Sequence, residues 1–197
     1  MNKKQVITIH GGEAWNSYEE YIEFLKQKDY NPYEQKTDSW RKKLGDELGD
    51  KYDVISPLMP CGWNAKYLEW AIWFEKLFPY LQEGVILVGH SLGANFLAKY
   101  LLENKLPVSI EQLHLVAGCF GAGGGFELFD DLSNVEAQCG EIYIYHSKDD
   151  FVVDFNDGKK YAKALPTAYF MEFEDRNHFL QEEFPELVDK IKHCDTI

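Results

Sequence analysis

The stretch V-I-L-V-G-H-S-L-G-A, residues 85–94, constrains the fold of this chain more than any other. Its first four residues are apolar and mostly β-branched, as in a buried parallel strand, and they run directly into G-H-S-L-G. A strand that turns at once into a helix needs a sharp, strained bend, and the two glycines let neighbouring backbone approach closely. We therefore predict a strand, a turn and a helix, with the Ser91 hydroxyl projecting from the turn.

The residues after this turn have the spacing of an amphipathic helix, with apolar side chains recurring at three and four residues: Leu92, Phe96, Leu97, Tyr100 and Leu101. A G-x-S-x-G pattern is not rare by itself and also fits a plain Gly/Ser turn. The flanking strand and helix are what favour a nucleophile elbow over that alternative.

The length of 197 residues and the 45% hydrophobic content predict one folded domain over residues 1–197. No apolar run reaches the eighteen or so residues of a membrane span, and the run 6–9 is too short for a signal-peptide core. Four cysteines without a C-x-x-C pair fit a reducing compartment, so we expect a cytoplasmic protein: Cys61, Cys119, Cys139 and Cys194.

The net charge of -13 argues against nucleic acid and anionic membranes as partners, because both are bound through clustered Lys and Arg. It leaves open the charge within any one cleft. The expected partner is a small-molecule acyl substrate, and the expected state is a monomer or a weak homodimer.

Six strand-like runs alternate with helical patterns along the chain, at residues 6–9, 54–56, 85–88, 113–116, 142–146 and 168–173. Helices are predicted after the capping pattern Ser17-x-x-Glu20, from near Asp38, from Asn64, over 156–165, and over the last apolar stripe at 184–191. This alternation predicts an α/β fold with a doubly wound, mostly parallel six-stranded sheet and helices on both faces. Functional groups then gather at the carboxyl ends of the strands.

The glycine-rich run 117–125 resembles a phosphate loop only superficially. It lacks the Lys-Ser/Thr ending of a P-loop and does not follow the dinucleotide fingerprint. We expect it to form a flexible wall of the pocket, and we expect no cofactor and no metal.

Three predicted loops carry the residues of a hydrolytic triad. The elbow supplies Ser91, the loop after 142–146 supplies Asp149 and Asp150, and the loop after 168–173 supplies His178. A serine hydroxyl needs a base, and the base needs a group that fixes its tautomer. The chain order Ser, Asp, His is the order of the α/β-hydrolases.

His178 is the predicted base because it alone of the six histidines lies in a polar loop after the last strand, although a surface histidine is the alternative. Asp150 is preferred as the acid, because the apolar residues after it can seat it as a buried acceptor, while Asp149 remains open. The expected oxyanion donors are the N–H of Leu92 and one from the Gly11–Gly12 turn, with Gly12 preferred.

Taken together, these motifs resemble the small lidless α/β-hydrolases, a family that includes retinoblastoma-binding protein 9 and the YdeN-like serine hydrolases. The resemblance covers most of the chain: H-G at 10–11, Trp40, the 57–60 loop, the G-H-S-L-G elbow, D-D-F-V-V at 149–153 and N-H-F at 177–179. It implies a lidless fold and a triad of Ser91, Asp150 and His178. Two departures are a long segment at 13–39 and Asn177, where the family usually has glycine.

The resulting hypothesis is a serine hydrolase that cleaves small carboxylic esters, or amides, through an acyl-Ser91 intermediate. The alternatives are a non-catalytic interaction module on the same scaffold and an acyltransferase using the same site. We expect an open site that prefers short acyl chains. Trp15, Trp63, Phe120 and Phe126 are candidates for a compact apolar pocket, although each of them also fits ordinary packing.

Overall fold

A computed structural model describes residues 3–33 and 39–193, and all its strands join in one sheet. The strands are β1 (Lys4–Ile9), β2 (Tyr52–Ile55), β3 (Val85–His90), β4 (Ile110–Val116), β5 (Cys139–Ser147) and β6 (Tyr169–Phe173). Their order across the sheet is β2-β1-β3-β4-β5-β6, and every neighbouring pair runs parallel. The predicted six-stranded α/β sheet is confirmed.

Helices cover both faces of this sheet. They are α1 (Tyr18–Gln27), α2 (Trp40–Leu48), α3 (Tyr67–Glu75), α4 (Leu92–Glu103), α5 (Ser133–Glu136), α6 (Phe155–Ala164) and α7 (Pro185–His193), with a 3₁₀ turn at Phe78–Tyr80. The buried side chains of α3, α4, α5 and α6 share one core cluster, and those of α2 and α7 share another. The doubly wound arrangement follows from these two cores.

The unbroken apolar run of β3 is explained by the burial of both of its faces. Val85 and Leu87 pack in the core beneath α4, whereas Ile86 and Val88 pack in the core beneath α2 and α7. Because both faces of a central parallel strand are covered, both sets of alternating side chains must be apolar.

α3 begins later than the sequence predicts, so the prediction of Asn64 as its cap is wrong. The Asn64 N–H instead donates to the Cys61 carbonyl in a turn, and Lys66 takes the cap position. The N–H of Tyr67, the first residue of α3, donates to the Gly124 carbonyl. This start is set by a contact with a distant loop, which local capping patterns do not reveal.

Two further differences concern the helices. α5 has only four residues, too few to give a helical period in the sequence. The predicted helix start at Asp38 lies outside the described residues, and α2 is described from Trp40. Within the described ranges, no helix combines the length and the apolar character needed to cross a bilayer.

Candidate active site

Ser91 occupies the sharp turn between β3 and α4 that the sequence predicts. Its backbone has φ 55° and ψ -123°, a conformation that costs a non-glycine residue roughly 1–3 kcal/mol. The two flanking glycines permit this turn. A Cβ on Gly89 would lie 2.5 Å from Ala94 Cα, and one on Gly93 would meet the carbonyl oxygens at the end of β1. The elbow is thus held between the start of α4 and β1.

The loop after β6 places His178 against the carboxylate of Asp150. His178 Nδ1 lies 2.8 Å from Asp150 Oδ2, and the His178 side chain is 7% exposed. The other carboxylate oxygen of Asp150 accepts the N–H groups of Val152 and Val153 at 2.8 and 2.9 Å. The apolar residues after Asp150 therefore supply backbone donors that seat it.

This environment favours a charged Asp150. Burial raises the pKa of its carboxyl, but the hydrogen bond from His178 and the two amide N–H groups outweigh burial, so the pKa lies below its ordinary value. A carboxylate at Nδ1 keeps the imidazole proton on that atom. His178 Nε2 is then the basic nitrogen.

Asp149 has a different set of partners. Its Oδ1 accepts from the Ser147 hydroxyl at 2.5 Å and from the Asn177 N–H at 2.8 Å. It therefore ties the loop after β5 to the loop that carries His178. The geometry favours Asp150 over Asp149 as the partner of His178, while the catalytic assignments stay predictions.

The backbone around His178 is fixed on both sides. Asn177 and Phe179 have positive φ values of 49° and 52°. The His178 carbonyl accepts a hydrogen bond from His90 Nε2 at 2.8 Å, and the Phe179 carbonyl accepts one from Trp40 Nε1 at 2.9 Å. Asparagine tolerates the left-handed conformation better than most residues, which explains how Asn177 fills a position where the family usually has glycine.

Ser91 and His178 line a common cleft of about 770 Å³, which we name the Ser91 cleft. Its walls also include His10, Gly12, Arg41, Trp63 and His90. No residue of the glycine-rich run 117–125 is among the described residues that line it. The prediction that this run forms a pocket wall is therefore wrong. The Gly124 N–H instead donates to Asn16 Oδ1 at 3.3 Å, so the run packs against the segment before α1.

The two predicted oxyanion donors, the N–H groups of Leu92 and Gly12, belong to residues next to Ser91 or on the wall of its cleft. Leu92 is the first residue of α4, so its N–H has no intrahelical acceptor. Gly11 packs directly on the elbow, since a Cβ there would lie 2.9 Å from Ser91 Cβ. Gly12 lines the Ser91 cleft. The predicted donors Leu92 and Gly12 thus lie beside Ser91 in chain and in space, and their role stays a prediction.

His10 holds the Gly11–Gly12 peptide in place, a function that the sequence analysis missed. His10 Nε2 accepts the Met59 N–H at 2.9 Å, so Nδ1 carries the proton and donates to the Gly11 carbonyl at 2.5 Å. In a trans peptide the C=O and the following N–H point in opposite directions. His10 therefore fixes the direction of the Gly12 N–H.

The pKa of His10 is lowered, mainly by burial. The bond to Gly11 raises this pKa and the Arg41 charge lowers it further. A neutral His10 suits its arrangement, because Nε2 must keep a lone pair to accept from Met59.

The four predicted pocket aromatics do not converge. Phe126 is fully buried in the core, and Phe120 packs edge-on against Tyr161. Trp63 lines the Ser91 cleft, and Trp15 donates its ring N–H to the Trp63 carbonyl at 3.1 Å. For Phe126 and Phe120, the alternative of ordinary packing is thus the one that the structure shows.

Part of the long segment 13–39 reaches the rim of the cleft. In α1, the Phe24 ring lies 4.9 Å from the Trp15 ring and 6.4 Å from the Trp63 ring. α1 has no buried residue of its own. This aromatic group is one contact between α1 and the rim of the cleft.

Within residues 3–33 and 39–193, no three His, Cys, Asp or Glu side chains form a group that could hold a metal ion.

A parallel sheet with helices on both faces, a strained serine after its central strand and an Asp–His pair at the ends of the following strands together define the α/β-hydrolase fold. No protein-family model matches the chain. In sequence it is 25% identical over 187 residues to YdeN of Bacillus subtilis (strain 168), a protein named as a candidate hydrolase, with 91% of this chain and 88% of YdeN covered.

Solved structures share this fold. The ydeN gene product of B. subtilis matches with a TM-score of 0.74 at 21% identity, covering 99% of this chain and 100% of that one. CarC, a serine hydrolase involved in carbazole degradation, matches with a TM-score of 0.65 at 14% identity, covering 99% and 92%. Esterase PE8 matches with a TM-score of 0.59 at 14% identity, covering 98% and 93%.

The chain thus has the compact α/β-hydrolase fold that its motifs predict. In sequence and fold it is similar to the YdeN-like hydrolases. The predicted likeness to retinoblastoma-binding protein 9 stays a prediction.

Proposed function

We propose that this protein is a serine hydrolase that cleaves small carboxylic esters, with Ser91 as nucleophile, His178 as base and Asp150 as the acid that orients His178. The observation that carries the proposal is the His178–Asp150 hydrogen bond of 2.8 Å at a cleft that also contains Ser91. The similar proteins include a candidate hydrolase, an esterase and a serine hydrolase, and this likeness supports the same activity.

The chemistry follows from the protonation of His178. The Ser91 Oγ attacks the ester carbonyl carbon and forms a bond to it, while its proton moves to His178 Nε2. The C–O bond to the alcohol then breaks, and the leaving oxygen takes that proton from His178. Water attacks the acyl-Ser91 carbonyl with His178 again as base, which releases the carboxylic acid and restores Ser91.

The negative charge on the carbonyl oxygen needs donors that are already in place. The N–H groups of Leu92 and Gly12 take this role in the proposal, and one such donor contributes roughly 3 kcal/mol to lowering the barrier. The Gly12 donor depends on His10, which holds the preceding carbonyl turned away.

Fluorophosphonate labelling tests this proposal. The protein should gain one phosphonyl group on the peptide that contains Ser91, and it should hydrolyse 4-nitrophenyl butyrate. Ser91→Ala should abolish labelling and lower kcat on the order of 10⁶-fold. Ser109→Ala removes an exposed hydroxyl that bonds Glu83 far from the cleft, so it should label like the unaltered protein.

The other outcomes separate the alternative functions. A folded protein that neither labels nor hydrolyses esters, with Ser91→Ala behaving identically, would leave a non-catalytic interaction module on this scaffold. Labelling together with faster acyl release when an alcohol replaces water as acceptor would point to an acyltransferase.

A further inference from the structure

Arg41 lies where two cavities of the protein meet. One is the Ser91 cleft, and the other is a neighbouring cavity of about 450 Å³, which we name the Arg41 pocket, lined among others by Thr8, Ser39, Arg41 and Ser56. His10, Arg41 and Leu58 line both cavities. Arg41 thus lies on the wall that the two cavities share.

One nitrogen of the Arg41 guanidinium, Nη1, is buried and has no hydrogen-bond partner in the described part of the chain. None of the ion pairs found among residues 3–33 and 39–193 includes Arg41. Burial lowers the pKa of Arg41. A buried cationic donor without a partner is unfavourable, and such groups in native proteins call for an explanation.

The nearby groups do not supply the missing acceptor. Glu13 lines the Ser91 cleft, but no ion pair joins it to Arg41 in the described residues. Burial is the largest cause of the lowered pKa values of His10 and His90, and the Arg41 charge lowers both further, whereas the Asp150 carboxylate raises the pKa of His90. No Asp or Glu is among the described residues that line the Arg41 pocket. In a chain of net charge -13, this cleft wall has a cationic character.

We propose that Arg41 binds an oxyanion on the substrate, a carboxylate or a phosphate, so that the preferred ester carries a negative charge on the part that reaches into the Arg41 pocket. This inference rests on the proposed hydrolase function and specifies its substrate class. Arginine suits the role because its planar fork of N–H donors matches the two oxygens of such a group.

A matched pair of esters tests the substrate class. Mono-4-nitrophenyl adipate carries a free carboxylate, whereas methyl 4-nitrophenyl adipate has the same acyl skeleton and leaving group without the charge. After subtraction of uncatalysed hydrolysis, kcat/KM for the anionic ester should exceed that for the neutral one. Arg41→Gln should lower the anionic rate about 10- to 100-fold, the range of one or two charge-assisted hydrogen bonds, and change the neutral rate less than about threefold.

Lys43→Gln is the matched control. It removes one positive charge from the same helix, but the Lys43 ammonium pairs with Glu182 at 2.6 Å outside both cavities. It should leave the ratio of the two rates unchanged. An equal loss in Lys43→Gln and Arg41→Gln would assign the preference to the overall field of the protein and overturn the proposal.

The unaltered protein supplies a test that does not depend on the folding of a variant. Monomethyl adipate and inorganic phosphate are each titrated by calorimetry and as inhibitors of neutral-ester hydrolysis, and the tighter ligand identifies carboxylate or phosphate. Binding without ester hydrolysis would sink the proposed function while the oxyanion site stands. No binding of either anion, with equal rates for both esters, would overturn the oxyanion site while hydrolase activity stands.

A purely structural Arg41, bridged through water to the buried Nδ1 of His90, would give a different result. Arg41→Gln would then lower the melting temperature without changing the ratio of the anionic to the neutral rate. That outcome also overturns the proposal.

Discussion

The two sides of the Ser91 cleft differ in how their polar groups are satisfied. On the side of the loops after β5 and β6, each polar atom of the Asp150 carboxylate has a partner within the protein, and His178 Nδ1 has one as well. On the side of α2, Arg41 Nη1 is buried without an acceptor. The first side is complete before any substrate arrives, as electrostatic preorganisation requires. The second side lacks a hydrogen-bond acceptor, which a ligand can supply. We therefore expect the first side to set the turnover rate and the second side to set which substrates are preferred.

The largest expected effect comes from disturbing the complete side. Asp150→Asn should lower kcat on the order of 10⁴-fold, because the imidazole of His178 loses the partner that keeps its proton on Nδ1. Asp149→Asn should cost far less activity, since Asp149 contacts Ser147 and the Asn177 N–H instead of the imidazole. Steady-state kinetics with 4-nitrophenyl butyrate measure both, alongside thermal melts. The opposite ranking, in two folded variants, would move the acid role to Asp149.

A smaller effect is expected at His10, which lines both cavities and joins the two sides. His10→Ala removes the donor to the Gly11 carbonyl and should lower kcat about 10- to 100-fold with little change in KM, part of the cost of losing an oxyanion donor. His10→Asn places an amide N–H near the position of Nδ1 and should recover part of that loss. If KM rises while kcat stays constant in His10→Ala and His10→Asn, His10 contributes to substrate binding and not to the catalytic step.

The buried histidines beneath the site predict a pH dependence of stability. Burial lowers the pKa to about 3 for His90 and His114 and to about 4 for His146, against an ordinary value of 6.5. Below pH 6.5 the unfolded chain binds protons that the folded protein does not, so stability falls as pH falls. Between pH 7.5 and 6.5 the three groups together should cost about 1 kcal/mol, and the slope should steepen below that range.

Urea unfolding at pH 7.5, 6.5 and 5.5 measures this slope. His114→Gln keeps a polar group beside Tyr145 and Gln112 and removes one titrating site, so its slope should be shallower by about one third. Equal slopes for the two proteins would mean that His114 binds protons to the same extent in the folded and the unfolded chain, which would contradict its lowered pKa.

The smallest expected effect concerns acyl chain length. Each CH₂ that fits in the cleft should add about 0.8 kcal/mol, or roughly fourfold in kcat/KM. Because Phe126 is in the core and Phe120 packs on Tyr161, only Trp63 of the predicted aromatics lines the cleft. We therefore expect neutral esters to lose rate beyond roughly six to eight carbons. A series of nitrophenyl esters from acetate to palmitate measures the profile, and a maximum at twelve carbons would contradict it.

The sequence predicts that Ser91, Asp150 and His178 lie at one edge of the sheet because the signals for this placement are local, while their catalytic roles stay predictions. The two glycines around Ser91 and the order of the strands are visible in the chain, and the parallel sheet then brings the loops after β3, β5 and β6 to one edge. The preference for Asp150 rested on the apolar residues after it, and those residues supply the backbone donors that seat its carboxylate.

The Arg41 side could not be predicted in the same way. Arg41 stands next to Trp40 in a helix whose buried stripe is obvious, but the absence of an acceptor depends on every neighbouring element and leaves no mark on the sequence. His10 was visible as part of the H-G pair, yet its role depends on Met59 from a loop after β2. The start of α3 was missed for the same reason, since a carbonyl from a distant loop decides it.

The parallel pairing of all six strands also governs when activity appears as the chain folds. Parallel neighbours need crossover connections, so none of these pairs can form as a local hairpin. Val6 in β1 finds its partner Ile86 only after most of the first half of the chain has been synthesised. Folds dominated by such distant pairings form slowly, and their apolar strands are prone to aggregate until they are paired. Because the site joins the loops after β3, β5 and β6, hydrolysis should return only after these strands have paired when the unfolded protein is refolded, well after its helices.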